Sequence, residues 1–278
     1  MKIDDWDVAY NNSLAVKNAA ALLAGWSVQG AAYQADRRTH AEQDLSYGPG
    51  PRELLDIYLP EGDAHGTLVF VHGGYWQSSD KNEHAQFAEG ARARGWRVVV
   101  VDYPLCPQVS IRQITESVCR AIEYVGQRYA DGPLVLAGHS AGGHLVTYAV
   151  SQNSGLSKQS RSRIQRVISI SGLHDLRPIV RAGKLNAALG LDNAEASQLS
   201  PALSTPGHAF ELICVCGTDE LSELRRQNAL LASIWLGLGI STDCLEVAGR
   251  NHFSVMEALK TPFSHLSRLA TLSEEMID

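Results

Sequence analysis

Leu134-Val-Leu-Ala-Gly-His-Ser-Ala-Gly-Gly-His-Leu-Val146 decides how the rest of the chain is read. Leu134–Ala137 is a short apolar run with the pattern of a buried strand, and the apolar residues from Ala141 onward begin a helix. Between them stands Gly138-His139-Ser140-Ala141-Gly142, the G-x-S-x-G spacing of a nucleophile elbow. A serine on so tight a strand-to-helix turn is held in strained backbone, and small residues two positions to either side let neighbouring segments approach. The helix that follows points its first N–H groups at the same place, ready to hold an anion.

Working outward, the flanking sequence alternates between strand-like and helical runs. Glu42–Tyr47 and Leu54–Leu59, joined across Gly48-Pro-Gly-Pro51, read as a hairpin. Thr67–His72, Arg97–Tyr103, Arg166–Ser171, Glu211–Cys216 and Thr242–Val247 read as further strands. Glu83–Arg94, Ile111–Tyr129, Glu220–Leu236 and Phe253–Leu269 read as helices between or after them. Short Val- and Ile-rich strands alternating with helices predict a mostly parallel sheet of about eight strands, covered on both faces. With the leading hairpin and the elbow, that is the order expected for an α/β-hydrolase fold. Residues 1–40 are expected to form an N-terminal helical segment, helical from Asp5 to about Arg38. About forty residues, 172–210, exceed a simple crossover and are expected to form a small helical cap over the site. The whole, 1–278, is read as a single domain.

Bulk composition removes several classes of function. A net charge of −6 argues against nucleic-acid or anionic-membrane partners, and no apolar run approaches membrane-spanning length. Met1-Lys-Ile-Asp-Asp-Trp6 lacks the pattern of a secretion signal, and five irregularly spaced cysteines make no disulfide framework. A cytoplasmic location is expected. Cys214 and Cys216 alternate on one strand and are expected in the core, with no partner pair at zinc spacing. No metal or other cofactor is expected, and a homodimer is left open.

In a chain of this order the acid follows the nucleophile and the histidine comes last. Asp219, in the turn after Glu211–Cys216, is the first choice for the acid. Adjacent Glu220 could substitute but reads better as a first-turn helix residue favoured by the dipole. His252, after the final strand, is the expected base; His265 falls on a helix and is expected at the surface. Val71-His72-Gly73-Gly74-Tyr75-Trp76 follows the second core strand, where backbone N–H groups of Gly73 and Gly74, with that of Ala141, would form an oxyanion hole. His72, Tyr75, Trp76 and His139 are the expected pocket residues, Tyr75 and Trp76 narrowing the acyl side. Arg226, Arg177 and Arg181 are read first as surface residues, with contact to a substrate carboxylate as the alternative.

Together, His72-Gly-Gly-Tyr-Trp-Gln77, Gly138–Gly142 with His144-Leu145, Ser171–Val180, Ser200-Pro201, Gly217-Thr-Asp219 with Ser222-Glu223 and Arg226-Gln227, and His252-Phe253 resemble the arylformamidase (kynurenine formamidase) family of serine hydrolases. The similarity runs from about Tyr47 to the closing helix, more weakly over Tyr10–Asn12 and Trp26. It implies a cofactor-free enzyme that releases formate from N-formylkynurenine through Ser140, Asp219 and His252. A carboxylesterase for small acyl or aryl esters, an amidase acting on another aromatic amide, and a non-catalytic hydrolase-fold binding protein are the alternatives. The expected partner is a small aromatic amide or ester.

Overall fold

Residues 3–272 are described by the structure, a computed structural model. Eight strands form one sheet: β1 (Ala41–Ser46), β2 (Leu54–Tyr58), β3 (Thr67–Val71), β4 (Arg97–Val101), β5 (Leu134–His139), β6 (Ile164–Ile170), β7 (Glu211–Gly217) and β8 (Ser241–Val247). Their order is β1-β2-β4-β3-β5-β6-β7-β8. β1 with β2 and β2 with β4 are antiparallel, and every other pairing is parallel.

Strand periodicity splits each central strand between two cores. Val69 and Val71, Leu134 and Leu136, Val167 and Leu212 face one side. Leu68 and Phe70, Val135 and Ala137, Ile168 and Ile213 face the other. Such strands are apolar throughout because both faces are covered. The helices Ile111–Arg128, Ala141–Ala149 and Ser222–Leu236 cover the first side, together with the 172–210 insertion through Leu173, Leu176, Ile179 and Leu199. The N-terminal helix Ala19–Asp36 and the segments after β3 and β8 cover the second. Cys214 and Cys216 are buried, as their alternation predicts.

Two expected helices are tighter or broken. The segment after β3 is a 3-10 helix over Asn82–Ala88 before it relaxes into Glu89–Arg92. The closing run divides into a 3-10 helix, Ser254–Lys260, and a helix, His265–Ala270. Pro262 accounts for the break, since the residue before a proline is driven out of helical geometry and Thr261 is extended (φ −123, ψ 133). The N-terminal run is also three pieces, Trp6–Ala9, Asn12–Ala15 and Ala19–Asp36, with corners at Tyr10–Asn11 and Val16–Asn18. Asn11 caps the second piece by accepting from the Leu14 N–H at 2.9 Å.

Leu136 is wholly buried at the centre of β5. Leu136→Ala is expected to lower stability by about 2–5 kcal/mol, read as a reduced urea midpoint at unchanged slope.

Candidate active site

The chain leaves β3 toward β4 but leaves the neighbouring β5 toward β6, so a crevice opens between the carboxyl ends of β3 and β5. The His72–Gly74 loop leaves β3 there and Ser140 leaves β5. Ser140 sits at φ 55, ψ −117, a conformation held only because its surroundings over-determine it. Its N–H bonds the Ile170 carbonyl at 2.8 Å. A side chain on Gly142 would place a carbon 2.0 Å from the Val71 carbonyl oxygen, so the elbow crosses directly over the end of β3. Ala141 is the first residue of the helix behind the serine, where N–H groups have no intrahelical partner.

His252 follows β8 in a loop pinned by Asn251, whose side chain accepts from the N–H groups of Phe253 and Ser254 at 3.0 and 2.9 Å. Its Nδ1 lies 2.9 Å from Oε2 of Glu220. The carboxylate in contact with the histidine is therefore Glu220, and the expectation of Asp219 is corrected. Asp219 is exposed; its N–H donates to the Arg250 carbonyl at 2.9 Å and its carboxylate accepts from the neighbouring Thr218 hydroxyl. β7 ends so close to the histidine loop that a carbon on Gly217 would fall 1.9 Å from the Arg250 oxygen. The Asp219 N–H is tied to the Arg250 carbonyl with its carboxylate left at the surface, and the longer Glu220 reaches the histidine instead. Its side chain is fully buried, and Oε1 accepts from the Ser171 hydroxyl at 2.6 Å and the Gly217 N–H at 2.7 Å. Burial alone would raise this carboxyl's pKa, but the hydrogen bond and charge of His252, with the two other donors, hold it below the ordinary value. Ser171 was not foreseen as a partner of the acid; its sequence signals were its place at the end of β6 and at the head of the family-like stretch Ser171–Val180.

Gly73 and Gly74 line one pocket with His139, Ser140 and His252. The space at Gly73 is tight: an added carbon would stand 3.0 Å from the Ser140 Cβ. Two of the four expected pocket residues lie elsewhere. His72 is buried behind the loop, stacked on Tyr103 with centroids 4.2 Å apart, donating from Nδ1 to the Gly73 carbonyl at 2.7 Å. Trp76 is completely buried. Its Nε1–H donates to His144 Nδ1 at 3.2 Å, and His144 Nε2–H donates to the Leu199 carbonyl at 2.8 Å, tying the loop to the elbow helix and the 172–210 insertion. Tyr75 and His139 do line the pocket.

The pocket holds about 540 Å³, and its outer walls are Asn12, Ser13, Leu23 and Trp26. Residues 172–210 contribute none of its lining, so the N-terminal segment, rather than the expected cap, roofs the serine. Trp26 anchors that roof edge-on to His139 and Phe253, its Nε1–H bonded to Glu257 at 3.0 Å. The insertion instead braces the segment from behind, through the Lys184 N–H to Asp7 and Arg181 over the Trp6 ring. The candidate arginines are also placed elsewhere. Arg226 is paired with Glu223 and Arg177 with Asp175, and neither they nor Arg181 line the pocket. Among the described residues no three His, Cys, Asp or Glu side chains converge to hold a metal ion.

Residues 55–205 match the BD-FAE family. The chain belongs to that family. It is 28% identical to a kynurenine formamidase of Drosophila melanogaster over 237 residues, covering 81% of this chain and 78% of that protein. A kynurenine formamidase of Danio rerio is also 28% identical, over 80% of this chain and 78% of its own. A crystal structure from Silicibacter sp. TM1040, provisionally described as a thioesterase, superposes with a TM-score of 0.89 at 34% identity, covering 95% of this chain and 98% of that one. The arylformamidase resemblance carried by the motifs therefore holds. This BD-FAE family member is an enzyme, a hydrolase of amide or ester bonds, on the α/β-hydrolase fold.

Several imidazoles near the site are held neutral by burial. His139 is pushed well below the ordinary value, first by burial and then by the nearby His252; His84 is lowered to about 3 and His144 to about 4. Above pH 6.5 these groups are neutral folded or unfolded. Below it the unfolded chain takes up protons that the native state refuses, so stability falls as the pH drops from 6.5 toward 4. The urea midpoint is expected to decline steadily between pH 7 and 5. The Cε1–H signals of His84, His139 and His144 should stay fixed over the same range.

Proposed function

We propose that this protein removes the formyl group from an N-formyl aryl amine, N-formyl-L-kynurenine foremost, through Ser140, His252 and Glu220. The observation that carries the reading is the buried Glu220–His252 contact at 2.9 Å beside a strained serine and a glycine loop in one pocket. Ser140 Oγ attacks the formyl carbon while His252 takes its proton, and Glu220 holds the imidazole with Nδ1–H toward itself. N–H groups of Ala141 and of the Gly73-Gly74 loop meet the oxygen as it gains charge. His252 then delivers the proton to the departing aryl amine, and water, deprotonated by the same imidazole, releases formate from the serine.

The small acyl group is argued from the crowding between Gly73 and Ser140, and the aryl leaving group from Trp26, Tyr75 and Phe253 along the walls. The kynurenine formamidase relatives support the same substrate. A second reading, hydrolysis of small acyl esters or thioesters, is favoured by the provisional thioesterase description of the Silicibacter protein. We read the chain as one domain without a cofactor, acting on a small aromatic molecule.

The test compares kcat/KM for N-formyl-L-kynurenine, 4-nitrophenyl acetate and 4-nitrophenyl butyrate. The formyl amide is expected to be preferred, acetate to exceed butyrate, and Ser140→Ala to lower all three by about four orders of magnitude or more. Turnover of the esters alone would support the second reading, and an active Ser140→Ala variant would overturn both.

A further inference from the structure

The pocket carries no positive wall. Its lining holds no lysine or arginine and one carboxylate, Glu83. Glu83 is half-buried, accepts from the hydroxyls of Ser27 and Ser79, and has no ion-pair partner among the described residues. The nearby Lys81 is fully engaged elsewhere, 2.8 Å from each of Asp44 and Asp56. A carboxylate facing a partly desolvated pocket without a counter-charge is expensive, and a cation entering that pocket relieves the cost.

Asn12 points the same way by an independent route. It is 4% exposed and lines the pocket. The single hydroxyl proton of Tyr75 is given to the Tyr10 carbonyl at 2.6 Å, so the Tyr75 oxygen accepts from Asn12 Nδ2 at 3.0 Å. That chain fixes the amide's orientation and leaves Oδ1 as the unused end. Oδ1 is buried and has no partner. An orphaned acceptor of this kind calls for a donor the protein does not supply.

We propose that the pocket recognises an ammonium group on the substrate, with Glu83 supplying the counter-charge and Asn12 Oδ1 accepting one of its hydrogens. An amino-acid-bearing arene is then held by its amine, and its carboxylate is left toward solvent. The inference rests on the hydrolytic site described above and names what that site selects.

Two substrate pairs test it. One is 4-(2-aminoethyl)phenyl acetate against 4-ethylphenyl acetate, and the other N-formyl-L-kynurenine against 2-formamidoacetophenone, each corrected for its rate with hydroxide. The wild type is expected to favour the ammonium member of each cleaved pair by about tenfold, expressed in KM rather than kcat. Glu83→Gln should abolish most of that preference, and Glu83→Asp should restore part of it. On the unmodified enzyme, tyramine should inhibit more tightly than 4-ethylphenol by a similar factor. Equal inhibition by those two amphiphiles, or a ratio unchanged in Glu83→Gln, would overturn the proposal. If the ester pair shows the preference and neither formyl compound is cleaved, the formamidase reading fails and this one stands. If formyl compounds are cleaved without regard to the amine, the reverse holds.

Discussion

The close crossing of the elbow over the end of β3 is the constraint from which the site follows. With Gly142 against the Val71 carbonyl, the serine has no room for a relaxed turn and adopts its positive φ. The hydrogen-bonded pairing of β3 with β5 sets the spacing of the two strands, and the contact at Gly142 holds the elbow close to the Gly73-Gly74 loop. The sheet supplies the stiffness, because β3 and β5 lie at its middle and are buried on both faces. Strain at one residue is tolerated where many neighbours are locked.

Around that point the protein uses buried polar groups in two ways. Glu220 is charged and accepts from three donors, so its burial is compensated and the imidazole it holds has one orientation. His139 and His144 are neutral, each donating one N–H to a backbone carbonyl and leaving the other nitrogen as an acceptor. Trp76 makes use of the second of these acceptors. The Gly73-Gly74 loop, the elbow helix and the 172–210 insertion are thereby fastened through His144, whose protonation would break its link to Trp76.

Much of this was legible in the chain. The strands were, because Val98–Val101 or Leu134–Ala137 must be buried on two faces and carry apolar residues at every position. The meeting of Ser140, His252 and the glycine loop in one pocket was, because each occupies a loop the topology demands. Asp219 against Glu220 was not, since the choice turns on whether a backbone N–H reaches Arg250, a contact between segments about thirty residues apart. Trp76 and Tyr75 are neighbours with the same apolar character, and only the positive φ at both decides which faces the pocket. The roof was misjudged for a similar reason. An insertion after a strand looks like a cap, but the corner at Tyr10–Asn11 brings Asn12 into the wall of the serine's pocket first.

The central claim is that Glu220, His252 and Ser140 act as one unit, with Asp219 outside it. The most direct measurement is the second-order rate of Ser140 labelling by a fluorophosphonate, located by peptide mass spectrometry, in Glu220→Gln and Asp219→Asn. The account predicts labelling slowed by about two orders of magnitude or more in Glu220→Gln and within about threefold of wild type in Asp219→Asn. The opposite ranking, or equal rates in both, would contradict it.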